Sequence, residues 1–278
     1  MQPDDILLTD QVAIVTGGGA GIGQGIAVGF ATFGADVVIA EIDPERAAAT
    51  AAKVEAAGRA ALVVRTDMAD TDQVRAMVGL AAEHFGRVDI LVNNVGGVRR
   101  QAFLDQSERS WRRHIDLNLM SMLAATAAVG PVMIAGGRGG SIVNVASIEA
   151  VRAAPDFAVY AACKAGMTSF TRTSALELSE HRIRVNCLAP DVTETPGIRG
   201  IVRGPVPDSL GEPLAGIDRY VPLGHEGHVD DCAGAAIFLS SAMGRYITGV
   251  TIPVDGGTWA SSGWTRRPDG QGWQLHSE

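Results

Sequence analysis

A chain of 278 residues, 46% hydrophobic and 19% charged, is large and apolar enough to bury one sizeable core, which excludes a disordered protein. A formal net charge of −8, with no Lys/Arg run longer than a pair, excludes nucleic acid and anionic membrane surfaces as partners. The three cysteines, Cys163, Cys187 and Cys232, show neither CxxC nor zinc-ligand spacing, so free thiols in a reducing compartment and no metal are expected.

The segment Met1 to Asp10 is acidic and lacks the apolar core of a leader peptide. No stretch approaches about eighteen uninterrupted apolar residues. The expectation is a cytoplasmic protein that does not cross a membrane. Val12 to Thr16 is a short β-rich run that ends in Gly17-Gly18-Gly19-Ala20-Gly21-Ile22-Gly23, and an amphipathic stretch follows to Phe33. Strand, glycine turn and helix in that order aim free backbone N–H groups and a positive helix end at a phosphate. The next strand, Asp36 to Ala40, ends in Glu41, eighteen residues after Gly23. A carboxylate there accepts hydrogen bonds from a ribose diol and repels a 2′-phosphate. Neither Ala20 nor Ile42 is basic, so nothing offsets that repulsion and NAD is expected over NADP.

Alternation continues along the chain. Helix 44–57 leads to strand 60–66 and Asp67; helix 70–85 leads to strand 88–92 and Asn93-Asn94-Val95-Gly96-Gly97. A helix of about thirty residues, 107–135, is followed by strand 141–145, helix 157–180 and strand 183–188. Such βα alternation with nearly continuous apolar strands predicts a parallel sheet covered on both faces. Ligands then bind beyond the carboxyl ends of the strands, where Gly17, Glu41, Asp67, Asn93 and Ser147 all fall. From about 191 to 222 the chain is rich in Gly and Pro interleaved with aliphatic residues, as expected of a lid over a hydrophobic ligand. Helix 228–240 and strand 249–254 complete a single domain spanning 1–278.

Tyr160 and Lys164 stand at i and i+4 within the predicted helix 157–180, thirteen residues after Ser147. That spacing places phenol and ammonium on one helix face, where a cation favours the phenolate. Lys164 is one of only two lysines among 23 basic residues, so a compact ammonium rather than a guanidinium fork is wanted here.

Together these residues resemble the short-chain dehydrogenase/reductase family in its compact single-domain form, over roughly residues 8 to 258. The motifs are TGGGAGIG at 16–23, Asp67-Met68, NNVG at 93–96, Asn118, Ser147, YAACK at 160–164 and PDVTET at 190–195. The resemblance implies an α/β, Rossmann-like, doubly wound parallel sheet of about seven strands in the order 3-2-1-4-5-6-7. It implies that Tyr160 is the general acid/base, that Ser147 holds the substrate oxygen, that Lys164 grips the nicotinamide ribose and lowers the tyrosine pKa, and that Asn118 continues a proton relay. For the cofactor it implies Gly17, Gly21, Ile22 and Gly23 at the pyrophosphate, Glu41 at the adenosine ribose, and Asp67 and Met68 at the adenine. Asn93 and Gly96 fall on the adenosine side, and Pro190, Val192, Thr193 and Thr195 at the nicotinamide end. A homotetramer is implied as well.

Three features depart from the family pattern: Asp191 replaces a Gly, Val95 replaces an Ala, and the chain runs on to Glu278 with Trp259, Trp264 and Trp273. The tail, about 259–278, is expected to pack on a neighbouring subunit or along the substrate pocket. The resulting expectation is an NAD-dependent oxidoreductase interconverting a secondary alcohol and a ketone on a bulky, hydroxysteroid-like substrate. Gly97, Val98, Ile148 and Glu149, with Ser147 and Tyr160, would contact that substrate. The alternatives are a 3-oxoacyl thioester reductase, docking an acidic carrier on Arg99-Arg100 and Arg112-Arg113, and a non-catalytic NAD-binding scaffold or sensor.

Overall fold

Seven parallel strands form one sheet, in the order β3-β2-β1-β4-β5-β6-β7, in the computed structural model, which describes residues 1–196 and 216–275. The strands are β1 (Val12–Thr16), β2 (Asp36–Glu41), β3 (Ala61–Arg65), β4 (Ile90–Asn93), β5 (Gly140–Val145), β6 (Ile183–Pro190) and β7 (Thr251–Val254). They alternate with helices α1 (Gly21–Thr32), α2 (Pro44–Ala56), α3 (Thr71–Phe85), α4 (Glu108–Ile115), α5 (Ser121–Gly136), α6 (Ala158–Glu177) and α7 (Val229–Ser240). This is the predicted doubly wound architecture. Most of the expected lid lies at 197–215, outside the described residues.

The apolar strands divide their side chains between two cores because successive residues point to opposite faces. Ala13, Val15, Val37 and Ile39 face α1, α2 and α7, meeting Phe30, Val54 and Ile237. Val12, Ile14, Val38 and Ala40 face the other way, toward Met77 of α3 and Val129 and Met133 of α5. β1 pairs with β2 on one side and β4 on the other. The strand order therefore reverses at β1 and opens a crevice above its carboxyl end.

The long helix expected at 107–135 is continuous from Glu108 to Gly136, but it carries a π turn at Asp116–Met120 between α4 and α5. By length and hydropathy alone this helix is able to cross a bilayer. It lies instead along the sheet, with Met122, Ala125, Val129 and Met133 buried.

The tail also has structure. A helical turn at Thr258–Ser261 leads into a two-stranded antiparallel ribbon, β8 (Trp264–Arg266) with β9 (Trp273–Leu275). Arg266 stacks its guanidinium 5.0 Å from the Trp273 ring centre and donates to the Pro222 carbonyl at 2.8 Å. The ribbon thus folds back on the segment that closes the expected lid.

Candidate active site

The glycine turn is shaped for close approach. Gly17 has φ +63°, a left-handed conformation that glycine adopts without a Cβ penalty. At Gly23, in the first turn of α1, a Cβ would overlap the Gly17 carbonyl oxygen and lie 2.5 Å from Asn94 Nδ2. The helix therefore seats directly on the turn. Helices α2 and α3 are capped by the carboxylates of Asp43 and Asp70, whereas α1 has no side-chain cap. Its first N–H groups are left for a ligand, and the dipole there favours an anion. Glu41, 8% exposed, accepts from Gly19 N–H at 3.1 Å and from Ile42 and Asp43 N–H at 2.9 and 3.1 Å. The carboxylate at the end of β2 is thereby held against the glycine turn. Across the crevice, Gly21 faces Thr195, whose Cγ2 would lie 3.2 Å from a Cβ at 21. Asp67 accepts from Ala69 N–H at 3.0 Å at the end of β3, with Met68 buried beside it.

The acid/base residues converge from three elements. The π turn carries Asn118 inward to full burial. Its Nδ2 donates to the Gly97 and His114 carbonyls at 2.9 Å, and its Oδ1 accepts from Gly97 N–H at 3.0 Å. A side chain at Gly96 would run into Asn118 Oδ1 and Lys164 Nζ, at 2.9 and 3.2 Å. Lys164, 2% exposed, donates to the Val145 carbonyl at 2.7 Å and lies 5.6 Å from the centre of the Tyr160 ring. Ser147 caps the turn Ile148–Ala150 by accepting from Glu149 N–H at 3.2 Å, and its hydroxyl stands beside the Tyr160 phenol, whose ionised form it favours. The helix-cap role and the role beside the phenol therefore coexist in one hydroxyl.

The electrostatics differ from expectation in one respect. Burial pushes the Tyr160 phenol up to about 12; the Ser147 hydrogen bond opposes this, while Glu149 and Cys163 add to it. Lys164 is not among the groups that move the phenol, and burial brings its own ammonium down to about 8. The free site therefore holds a neutral phenol, the form that donates a proton to a carbonyl oxygen. The three cysteines are buried free thiols.

The depressed lysine has a measurable consequence. Its folded value lies below the ordinary 10.5, so between about 8 and 10.5 the unfolded chain binds more protons and stability rises with pH. Below pH 8 the whole penalty is present. Lys164→Met should therefore be more stable than wild type at pH 7 by roughly 1–3 kcal/mol. The gain should shrink as pH rises toward 10.5. Denaturant titrations at pH 7 and 10 check this; a variant less stable at both values would mean that the bond to Val145 outweighs desolvation.

Other expected residues fall differently. Asn93 is 3% exposed, and its Nδ2 donates to Asn144 and Thr126, into the sheet–α5 core. Its side chain is a core polar group, so any part at the cofactor belongs to its main chain. The neighbouring Asn94, which spacing alone did not single out, donates from Nδ2 to the Thr16 carbonyl at 2.9 Å and clips β4 to β1 under the glycine turn. Ile148 is fully buried, which leaves it no exposed surface at the cleft. Gly97 and Val98 lie half-buried at the loop fixed by Asn118. Pro190 ends β6, and Thr193, buried, bridges to Gly227 while Val192 accepts from Gly227 N–H at 2.9 Å. Asp191 is absent from the residues with positive φ, so the usual glycine is not needed for the turn.

Seven parallel strands in this order, an uncapped glycine-turn helix and a grouped Asn118, Ser147, Tyr160 and Lys164 define a dinucleotide-type oxidoreductase. A family model described as enoyl-(acyl carrier protein) reductase matches residues 17–258. Galactitol 2-dehydrogenase of Agrobacterium fabrum is 40% identical over 91% of this chain and 99% of its own length. A 3-oxoacyl-(acyl-carrier-protein) reductase of Chlamydia muridarum is 39% identical, over 90% of this chain and 98% of its own. The solved structure of a 7α-hydroxysteroid dehydrogenase complexed with NADH and 7-oxo glycochenodeoxycholic acid superposes with TM-score 0.85 and 32% identity, covering 92% of this chain and 97% of that one. The chain belongs to the short-chain dehydrogenase/reductase family of oxidoreductases.

Proposed function

We propose that this protein is an NAD-dependent oxidoreductase that interconverts a secondary alcohol and a ketone on a bulky, largely hydrophobic substrate of hydroxysteroid type. The observation that carries the reading is the grouping of Ser147, Tyr160 and the buried Lys164, whose ammonium lies over the Tyr160 ring, beside the Asn118-fixed loop. Bound NAD supplies hydride transfer. The residues fit it: the uncapped end of α1 with Gly17 and Gly23 suits a pyrophosphate, Glu41 a ribose diol, and the Gly96 floor leaves room above Asn118 and Lys164. Ser147 orients the substrate oxygen, and Tyr160 exchanges its proton. Because the free phenol is held near 12, oxidation, which needs the phenolate, is favoured as pH rises and reduction as it falls.

The hydroxysteroid relative and a carveol dehydrogenase from Mycobacterium avium in complex with NAD, at TM-score 0.82 and 30% identity, support an alcohol substrate with rings. The 3-oxoacyl reading loses ground on the surface. Arg100 is paired with Asp156 and Arg112 with Glu108, and the hollow beside Arg112 and Arg113 includes neither Ser147 nor Tyr160 in its lining.

A panel of alcohols and ketones with NAD(H) and NADP(H) tests the proposal. Cyclic secondary alcohols should turn over with NAD at a kcat/KM at least about tenfold above that with NADP, worth ~1.4 kcal/mol. Preference for NADP would sink the Glu41 argument. Silence over the whole panel with tight NAD binding would instead favour a sensor.

A further inference from the structure

One guanidinium group joins three parts of the chain beside the acid/base residues. Arg152, two residues past the Ile148–Ala150 turn, donates from Nη2 to Glu149 Oε1 at 2.8 Å and to Asp191 Oδ1 at 2.9 Å. The Asp191 side chain is 9% exposed, and its other oxygen accepts from Thr258 Oγ1 at 2.6 Å. Thr258 opens the C-terminal segment, where Asp255 accepts from the N–H groups of Gly257 and Trp259 at 2.9 and 2.7 Å. Glu149 in turn donates its N–H to Ser147, the hydroxyl that stands beside the Tyr160 phenol. The hydrogen bonds therefore run from the C-terminal segment to Ser147, next to the phenol.

We propose that Arg152 is a positioning residue for the Tyr160 proton chemistry: held between Glu149 and Asp191, its charge screens the phenol from Glu149 and ties Asp191 and the C-terminal segment to the turn that carries Ser147. The inference rests on the reading of Tyr160 as the proton-carrying group. Among the described residues, the groups that face the phenol are few. Ser147 and Glu149 come from the turn after β5, and Cys163 and Lys164 from its own helix. Burial raises the Cys163 thiol, which is uncharged at neutral pH. Among the described residues, Glu149 is thus the carboxylate whose charge reaches Tyr160, and Arg152 is the cation paired to it. An arginine remains charged at any pH the enzyme meets. Removing it would leave two partly buried carboxylates uncompensated.

The three tyrosines make this testable without a substrate. Tyr220 and Tyr246 are 63% and 100% exposed, so a Tyr220→Phe/Tyr246→Phe background leaves Tyr160 as the sole phenol. Tyrosinate absorbance in the first milliseconds after a stopped-flow jump to alkaline pH then reads its ionisation before the chain unfolds. Arg152→Met should raise the midpoint by about 0.5–1 in pH, and Glu149→Gln should lower it. The double variant Arg152→Met/Glu149→Gln should sit close to Glu149→Gln alone, since the charge that Arg152 screens is gone. An Arg152→Met midpoint equal to that of the parent, with an unchanged far-UV spectrum, would overturn the proposal. Should that variant fail to fold, Arg152→Gln takes its place: an unmoved midpoint rejects the proposal and a raised one supports it. The readout needs neither substrate nor NAD, so its failure leaves the redox assignment standing. An inert substrate panel alongside the expected shifts would count against the redox assignment only.

Discussion

Tyr160→Phe should lower kcat/KM by about 10²–10⁴-fold, or ~3–5.5 kcal/mol, while NAD affinity stays within about threefold of wild type. The substitution removes only the hydroxyl. The ring remains beneath Lys164, 5.6 Å from Nζ, and Lys164 keeps its bond to the Val145 carbonyl. The residues at the glycine turn are untouched. What disappears is the proton donor beside Ser147. Steady-state rates on any active compound from the panel, together with NAD titration by calorimetry, check both halves. Retained turnover would remove Tyr160 from the mechanism, and lost NAD binding would give it a cofactor role instead.

Gly23→Ala is expected to cost about 3 kcal/mol of stability, at the upper end for overpacking, and to weaken NAD binding by at least about tenfold. The added methyl meets main chain, the Gly17 carbonyl, and so cannot be relieved by a side-chain rotation. Relief requires lifting α1 off the turn, which also moves the N–H groups aimed at the pyrophosphate. Gly79→Ala is the matched control. Gly79 lies inside α3 with nothing within 4 Å of a Cβ. Alanine there should stabilise the protein by about 0.5–1 kcal/mol through helix propensity and leave NAD binding unchanged. Denaturant midpoints and NAD titrations for the pair separate the two effects; a Gly23→Ala protein as stable as wild type would show that the turn yields.

Much of the site was legible because its signals are local. The glycine turn, Glu41 at a strand end, and the Tyr160–Lys164 spacing each depend on a few consecutive residues in regular structure. Asn118 was legible as a residue but not in its orientation. Periodicity reads 107–135 as one helix, and a π turn has no compositional mark, yet it rotates Asn118 into the interior. The direction of the Asn93 side chain, and the part played by its neighbour Asn94, were hidden for a similar reason. Strand alternation gives each residue a face, but only the assembled sheet shows that the face of Asn93 meets Asn144 and Thr126 while Asn94 reaches back to β1.

The sequence by itself determined the alternation of strands and helices, the glycine turn and the set of groups available for proton transfer, because spacing along a helix or strand dictates which neighbours share a face. Resemblance supplied the strand order, which the structure bears out. Only the tertiary structure decided the state of those groups. Tyr160 and Lys164 are a phenol and a depressed ammonium because of what is packed around them, burial being the largest cause for each. Arg152, Asp191 and Thr258 lie far apart in sequence, and nothing in their spacing foretells a shared hydrogen-bond chain. Solvation and charge pairing are set by residues remote along the chain, and the fold alone brings those together.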